Sequence, residues 1–214
     1  MINIKRFVCN MFQENCYVVH DESLECVIID CGAYHKEERE AIVRYITEHQ
    51  LRPVHLLATH GHLDHNFGND TIKEAFGLSV ELAEGDVEYL EKIDEQAAAF
   101  GLTLDYKLPA AAEKTLKEGD KISFGSHTLQ VLETPGHSQG SVTFYCKEEH
   151  IAFTGDTLFR HSIGRTDFAG GNMFQIINSL RMMAQLPDET VVYAGHGETT
   201  SIGEELAHNP YMDR

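Results

Sequence analysis

The feature that most constrains this chain is a histidine-rich loop that directly follows a short apolar segment. Residues 54–58 predict a short buried strand, and the next seven residues are Thr59-His60-Gly61-His62-Leu63-Asp64-His65. Three imidazoles and one carboxylate on a tight loop can converge on a small volume. His60 and His62 can then share one metal ion, and Asp64 and His65 can reach another. The loop therefore predicts a metal site, and the alternative is a solvated, histidine-rich loop.

The charge of the chain disfavours two classes of partner. There are 34 acidic and 17 basic residues, and the formal net charge is −17. Such an acidic chain repels phosphate backbones and anionic lipid surfaces. We therefore expect neither a nucleic acid nor a membrane as its partner.

Length and cysteine usage indicate one domain in a reducing compartment. The chain has 214 residues, 42% of them hydrophobic, which is enough for a sizeable core, and we expect a single domain over residues 1–214. No apolar run approaches transmembrane length, and the N-terminus has no apolar signal-peptide core. No two of the five cysteines form a Cys-x-x-Cys pair, which predicts buried thiols: Cys9, Cys16, Cys26, Cys31 and Cys146. We expect a cytoplasmic protein.

The hydrophobic pattern predicts two strand-rich halves of similar order, each with helices. In the first half it predicts strands over 2–8, 16–20, 25–30, 54–58 and 78–82, and helices over 36–50, 69–76 and 86–99. In the second half the β pattern resumes from Lys114, with strands over 120–124, 127–133, 141–146, 150–154 and 190–194, and helices over 172–185 and 199–207. This order predicts two packed sheets with helices outside.

Two aspartates of the first half have alternative interpretations. Asp30 ends the predicted strand 25–30, either as an ordinary turn residue or as an acceptor that orients a metal-binding imidazole. Asp86 is placed to cap the helix predicted over 86–99. The acids and alanines of that helix indicate a solvated, peripheral element.

Further candidate ligands follow other predicted strands, and each has a neighbouring glycine. His137 lies in Thr134-Pro135-Gly136-His137, Asp156 in Thr154-Gly155-Asp156, and His196 in Ala194-Gly195-His196-Gly197. Glycine lets the backbone bend sharply and lets a ligand approach closely. Each motif alone is weak evidence, but with the His60–His65 loop they make seven candidate metal ligands.

This combination of motifs resembles the metallo-β-lactamase superfamily and, within it, the short, single-domain glyoxalase II-like (hydroxyacylglutathione hydrolase-like) enzymes. The resemblance extends from Asp30 to His196. It implies an α/β fold, the four-layer αβ/βα sandwich of two mixed sheets with helices outside. It also implies that His60, His62 and His137 hold a first metal ion, that Asp64, His65 and His196 hold a second, and that Asp156 bridges both.

The chemistry implied by the resemblance is hydrolysis of an acyl compound at a two-metal site. Imidazole and carboxylate ligands suit Zn²⁺, Fe or Mn²⁺ without singling one out, and among these ions we expect Zn²⁺. A hydroxide bridging the two ions would attack the carbonyl, and Asp64 would orient it or accept its proton. The implied substrate is a small-molecule thioester, S-lactoylglutathione or a related acyl thiol.

Differences between this sequence and the family pattern restrict the subclass of the superfamily that it resembles. Class B β-lactamases do not combine a bridging residue like Asp156 with Asp64 and His65, which disfavours β-lactam hydrolysis. Few residues follow His196, so we expect no C-terminal helical glutathione-binding domain. The stretch Gly164-Arg165-Thr166-Asp167 replaces a Gly-Lys-Phe-Tyr-like stretch of the glutathione pocket.

The sequence leaves alternatives for the roles of two residues near Asp156 and for the function of the protein. Arg165 is a candidate for binding a substrate carboxylate, and a structural or surface role is the alternative. His161 follows Asp156, but we expect it not to face the substrate. The alternative functions are a mononuclear-iron persulfide dioxygenase and a hydrolase of another ester or lactone.

Overall fold

Two β-sheets pack face to face in this protein, and helices cover the outer face of each. The computed structural model describes residues 1–104, 106–112 and 115–213. Within these residues the strands are β1 Asn3–Cys9, β2 Glu14–His20, β3 Glu25–Ile29, β4 Arg52–Leu57, β5 Val80–Glu81, β6 Lys121–Phe124, β7 His127–Glu133, β8 Val142–Cys146, β9 Ile151–Gly155, β10 Leu158–Phe159, β11 Ser162–Ile163, β12 Val191–Ala194 and β13 Thr200–Ser201. The α-helices are α1 Lys36–Glu48, α2 Asn69–Phe76, α3 Val87–Glu91, α4 Ile93–Ala99, α5 Met173–Met183 and α6 Ile202–His208.

Both large sheets are mixed. The first has the strand order β1-β2-β3-β4-β5 and the second has the order β13-β12-β9-β8-β7-β6. In the first sheet β3 and β4 run parallel, and in the second β9 and β12 run parallel. The carboxyl ends of parallel neighbours lie at the same edge of a sheet, so the loops after β9 and β12 begin side by side.

Alternate side chains of the central strands pack against different layers of the fold. In β2, Cys16 and Val18 pack towards the helices on the outer face, whereas Tyr17 and Val19 pack between the two sheets. Successive side chains of a strand point to opposite faces, and both faces here are buried. Residues 16–19 of β2 are therefore a continuous apolar run, which is why the sequence predicts this strand well.

Helices complete four layers. Side chains of α1, α2, α3 and α4 pack on the first sheet, and side chains of α5 and α6 pack on the second, where Leu180 and Ile202 meet Val192. The predicted αβ/βα sandwich is confirmed. The five cysteines are all buried and free of disulfides, as expected.

Polar contacts join the two sheets at both ends. The Tyr17 hydroxyl donates to the carbonyl of Ala194 at 2.7 Å. At the opposite end of β2, buried Asp21 accepts a hydrogen bond from the backbone N–H of Ser126 at 2.8 Å, and its carboxylate lies 2.9 Å from Nδ1 of His127. These bonds hold the edges of the sheets in register with each other, including the edge that carries the candidate ligands.

Most predicted elements are found within a few residues of their expected ends, but two expectations need correction and one hairpin was not predicted. The helix predicted over 86–99 is interrupted at Lys92, which separates α3 from α4. The helix predicted over 199–207 begins instead with the short strand β13. The hairpin of β10 and β11 was not predicted, because two-residue strands carry too little pattern. Lys114, where the β pattern was expected to resume, lies outside the described residues.

The helices of this protein are short. Over the described ranges no helix is both long enough and apolar enough to span a membrane.

Candidate metal centre

The loop after β4 brings two of the predicted histidines next to a third from the loop after β7. Each of His60, His62 and His137 offers a ring nitrogen, and these three atoms lie within 4.8 Å of one another. His62 Nδ1 is 2.8 Å from His137 Nε2. All three side chains are buried. Such a group of nitrogen donors can hold one divalent cation.

A second group forms on the other side of the same loop. Asp64, His65 and His196 also offer three donor atoms within 4.8 Å of one another. His196 Nε2 is 3.3 Å from Asp64 Oδ2, and His65 Nε2 is 3.8 Å from the same oxygen. His196 arrives from the loop after β12, so this group joins the two sheets.

Asp156 lies between the two groups. Its Oδ1 is 3.4 Å from His65 Nε2, and its Oδ2 is 3.5 Å from His137 Nε2 and 3.6 Å from His196 Nε2. A Cβ atom at Gly195 would lie 2.3 Å from Asp156 Oδ1 and 2.7 Å from a carbon of the His65 ring. Only glycine therefore fits beside this carboxylate.

Hydrogen bonds on the outer side of the rings aim the remaining nitrogens inward. Four histidines have an Nδ1 beside an oxygen: His60 with Thr59 Oγ1 at 3.0 Å, His65 with Asp30 Oδ2 at 3.0 Å, His137 with Arg165 O at 2.8 Å and His196 with Phe12 O at 3.0 Å. A neutral ring that donates from Nδ1 carries a lone pair at Nε2. Second partners of this kind are typical of metal-binding histidines.

Several buried polar atoms at this site lack a hydrogen-bond partner among the described residues. They are His60 Nε2, His62 Nε2, His65 Nε2 and Asp156 Oδ1. Leaving a buried polar atom unpaired is costly, so these atoms favour a ligand at this site. Imidazole nitrogens with carboxylate oxygens are a donor set for a transition metal ion, and the residues fit such an ion.

The pKa values divide the histidines into two kinds. Burial holds the pKa of His60 well below its usual value, and burial lowers the pKa of His62 to about 4. Both rings are therefore neutral at physiological pH, as a metal ligand must be. For His65, burial alone would lower the pKa, but the surrounding carboxylates, led by Asp156, raise it well above the usual value.

The carboxylates show the complementary shifts. Burial by itself would raise the pKa of Asp156, but the charges of His65 and other histidines hold it well below the usual value. The pKa of Asp64 is lowered in the same way against the effect of burial. Negative charge is thus concentrated at the centre of the cluster, where a cation would replace the protons of the histidines.

Of the two interpretations of Asp30 from the sequence, the structure shows the second: Asp30 is an acceptor that orients an imidazole of the candidate metal centre. Its Oδ1 accepts from the backbone N–H of Thr59 at 2.7 Å, and its Oδ2 accepts from the Thr59 hydroxyl at 2.7 Å. The same Oδ2 faces His65 Nδ1. Asp30 therefore fixes the ring of His65 directly and that of His60 through Thr59.

Asp86 does not cap α3, contrary to expectation. Its side chain makes no cap hydrogen bond to the described part of the helix and is fully buried. The carboxylate instead accepts from Gly61 N at 2.8 Å, from Ser138 Oγ at 2.6 Å and from Gly140 N at 2.7 Å. It joins the loop that carries His60 and His62 to the loop that carries His137.

Glu14 was not identified from the sequence. It is fully buried at the start of β2, its two carboxyl oxygens lack a hydrogen-bond partner in the described structure, and Oε1 is 4.0 Å from His65 Nδ1. Burial raises the pKa of Glu14 well above its usual value. No local signal distinguishes this glutamate from a strand-edge residue.

A cavity of about 460 Å³ opens onto the cluster. Its lining includes the candidate ligands His62, Asp64, His137, Asp156 and His196, and the other lining residues are Phe12, Leu63, Tyr89, Gln96, Ala99, Phe100, Arg165, Phe168 and Ala169. Tyr89, Gln96 and Ala99 belong to α3 and α4, so these helices form part of the cavity wall and are not peripheral.

The two residues left open by the sequence lie in different places. Arg165 lines the cavity, with its guanidinium bonded to Asp167 and stacked over the Phe168 ring at 3.8 Å. His161 is not among the lining residues. It lies at the surface beside Glu204, at 2.9 Å, and His208.

Comparison with known proteins places this chain in a family. The sequence profile of the metallo-beta-lactamase superfamily matches residues 9–196, and the chain belongs to that superfamily. Hydroxyacylglutathione hydrolase GloC of Haemophilus influenzae is 36% identical over 215 residues, with 99% of each chain covered.

Two solved structures show the same fold over nearly the whole chain. The crystal structure of BLEG-1 B3 metallo-beta-lactamase superposes with a TM-score of 0.88 at 33% identity and covers 99% of both chains. The structure of TTHA1623 in a di-iron-bound form gives a TM-score of 0.87 at 36% identity, covering 97% of this chain and 100% of the other.

Proposed function

We propose that this protein is a two-metal hydrolase that cleaves acyl thioesters. In this proposal one divalent cation would be held by His60, His62 and His137. The other would be held by Asp64, His65 and His196, and Asp156 would be a ligand of both. The observation that carries the proposal is the convergence of these seven side chains, several of them buried with unpaired donor atoms, in one cluster that opens onto the cavity. The similarity to GloC, a hydroxyacylglutathione hydrolase, supports the thioester as substrate.

The metal ions and the protein have different roles. When bound, two divalent cations of Zn, Fe or Mn polarise a substrate carbonyl and lower the pKa of water to near neutrality. Asp64 lines the cavity, and its lowered pKa keeps it ionised, so its carboxylate is placed to accept the proton of the attacking water. The apolar cavity walls limit the access of other water to the reacting groups.

Metal analysis beside a hydrolysis screen tests the proposal. We expect two metal ions per chain after purification or reconstitution, and release of free thiol from S-lactoylglutathione or a simpler acyl thioester without consumption of O₂. A single iron per chain together with persulfide-dependent O₂ uptake would show a dioxygenase instead. Cleavage of oxygen esters or lactones, with thioesters left intact, would retain the hydrolase and change its substrate.

Hydrolysis of a β-lactam is a second candidate. The sequence motifs disfavour it, but the 33% identity and full-length superposition with BLEG-1 B3 metallo-beta-lactamase favour it. A chromogenic cephalosporin assayed with the same metal-loaded preparation distinguishes the two. We expect the thioester to have the higher kcat/KM, and the reverse order would make the β-lactam the better candidate.

We propose that Arg165 binds a carboxylate of anionic substrates. Replacing Arg165 by alanine should raise KM about tenfold with little change in kcat, because the contact is the same in the ground and transition states. The expected loss of binding free energy lies at the lower end of the range for a charged hydrogen bond, because the guanidinium already bonds to Asp167 at 2.8 and 2.7 Å. The measurement is KM for an anionic thioester and for its neutral amide.

The exposed Arg160 provides a matched control on the same segment, outside the cavity lining. Arg160→Ala should change neither KM. An unchanged KM in Arg165→Ala for the anionic thioester, accompanied by a lower melting temperature, would assign Arg165 a structural role.

A further inference from the structure

Three aromatic rings from distant parts of the chain meet in the cavity wall. Phe12 lies in the turn between β1 and β2, Phe100 follows α4, and Phe168 lies between β11 and α5. The Phe12 and Phe100 rings are 5.2 Å apart in an edge-to-face contact, and the Phe100 and Phe168 rings are 6.4 Å apart. We name Phe12, Phe100 and Phe168 the aromatic wall.

Two rings of the aromatic wall are exposed, and the third, Phe12, is half-buried. Phe100 is 46% exposed and Phe168 is 36% exposed, whereas Phe124, Phe144 and Phe153 are almost fully buried. Exposed apolar area that is concentrated in a cavity is typical of a binding site, because a bound apolar group removes it from water.

The wall begins beside the candidate metal centre. The Phe168 ring is 6.0 Å from the ring of His62, and Phe12 accepts a hydrogen bond through its backbone oxygen from His196 at 3.0 Å. A substituent attached to a carbonyl group at the metal centre therefore needs only a few bonds to reach the aromatic wall.

Two polar side chains near the wall, those of Gln96 and Arg165, are already engaged, whereas the hydroxyl of Tyr89 has no hydrogen-bond partner among the described residues. Gln96 accepts from Leu63 N at 3.1 Å and donates to Tyr89 O at 2.7 Å. The guanidinium of Arg165 is bonded to Asp167. Among the described lining residues, Arg165 is the one Lys or Arg side chain, so a substrate with several carboxylates finds little charge complementarity here.

We propose that the aromatic wall is a subsite for an uncharged apolar group carried by the substrate. The inference rests on the proposed thioesterase function and extends it. The protein then prefers thioesters with an aliphatic or aromatic substituent to those with a small polar one such as lactoyl. The substituent belongs to either the acyl part or the thiol part, and both present the same chemistry to Phe12, Phe100 and Phe168.

Two series of thioesters test the subsite with the metal-loaded protein. One series varies the acyl group from acetyl to hexanoyl and phenylacetyl on a constant neutral thiol, and the other varies the thiol on a constant acetyl group. In the series that enters the subsite, kcat/KM should rise about fourfold for each buried methylene. The steeper series identifies the group that is bound.

Substitution of the wall links this trend to its residues. Phe100→Ala should lower kcat/KM about tenfold for the hexanoyl or phenylacetyl member and leave the acetyl member nearly unchanged. Phe174→Ala is the matched control, because Phe174 is 73% exposed and lies outside the cavity lining. It should leave the whole series unchanged.

Binding of non-hydrolysable thioethers, measured by calorimetry, separates this inference from the proposed function. Hydrolysis of acetyl thioesters with no dependence on chain length in either series would overturn the subsite and leave the function intact. If no thioester is hydrolysed, the function fails, but longer thioethers should still bind more tightly, and less so to Phe100→Ala. Thioether affinity that is independent of length and of Phe100 would overturn the subsite.

Discussion

Asp156→Ala is expected to reduce the metal content of the protein from two ions per chain towards one and to lower kcat/KM for thioester hydrolysis by about 10³-fold. The two carboxyl oxygens of Asp156 face different histidines, Oδ1 towards His65 at 3.4 Å and Oδ2 towards His137 at 3.5 Å. Losing one cation removes several kcal/mol of charge stabilisation from the transition state, which corresponds to about this factor in rate.

Elemental analysis and steady-state kinetics of the same preparation measure both effects. Asp213→Ala is a suitable control, because Asp213 is an exposed aspartate 3.9 Å from Arg181, and it should retain both ions and full activity. Asp156→Asn keeps the size of the side chain and removes its charge, so it should also lose metal. Full occupancy with an unchanged rate in Asp156→Ala would exclude the bridging role.

The sequence predicts the sheets and the ligand loops because their signals are local. Residues 54–58 are apolar except for His55, and the loop that follows β4 carries His60 and His62 within a few positions of the strand end. His137 and His196 have the same strand-end and glycine setting. Parallel and antiparallel pairing of buried strands then brings these ends to one edge, as the structure shows.

Residues whose partners are far along the chain are not predicted in this way. Asp86 precedes a helical pattern, so its local setting indicates a cap, but its partners Gly61, Ser138 and Gly140 are 25, 52 and 54 positions away. Glu14 looks like an ordinary strand-edge acid, and only the packing of His65 behind it shows its burial. Tertiary contacts override local propensity at such positions.

The aromatic wall illustrates the same limit at the level of the cavity. Phe12, Phe100 and Phe168 carry no common sequence pattern, and each lies in a turn or loop. The helix predicted over 86–99 was considered peripheral because of its acids and alanines, although its interruption at Lys92 leaves both Tyr89 and Gln96 in the cavity wall. In our proposal specificity depends on these loops more than on the ligand motifs.

Asp86→Ala is expected to weaken metal binding by His60, His62 and His137 about 10- to 100-fold, the usual effect of removing a partner behind the ligands. Its carboxylate is the common acceptor for the two loops that carry these histidines. Its loss leaves three buried donors unpaired and should cost about 3 kcal/mol of folding free energy. For a chain of this size that corresponds to a melting temperature about 6–12 °C lower.

Chelator titration followed by metal analysis distinguishes loss of positioning from general destabilisation. In the titration we expect each metal ion to be released in its own step. The step that is absent in His137→Ala belongs to the ion held by His60, His62 and His137, and Asp86→Ala should shift this step to a lower chelator concentration. Asp30→Ala is the matched comparison: Asp30 is equally buried but faces His65 at 3.0 Å, so it should shift the other step more. Equal shifts of both steps in the two variants would show that Asp86 stabilises the fold without positioning one metal site.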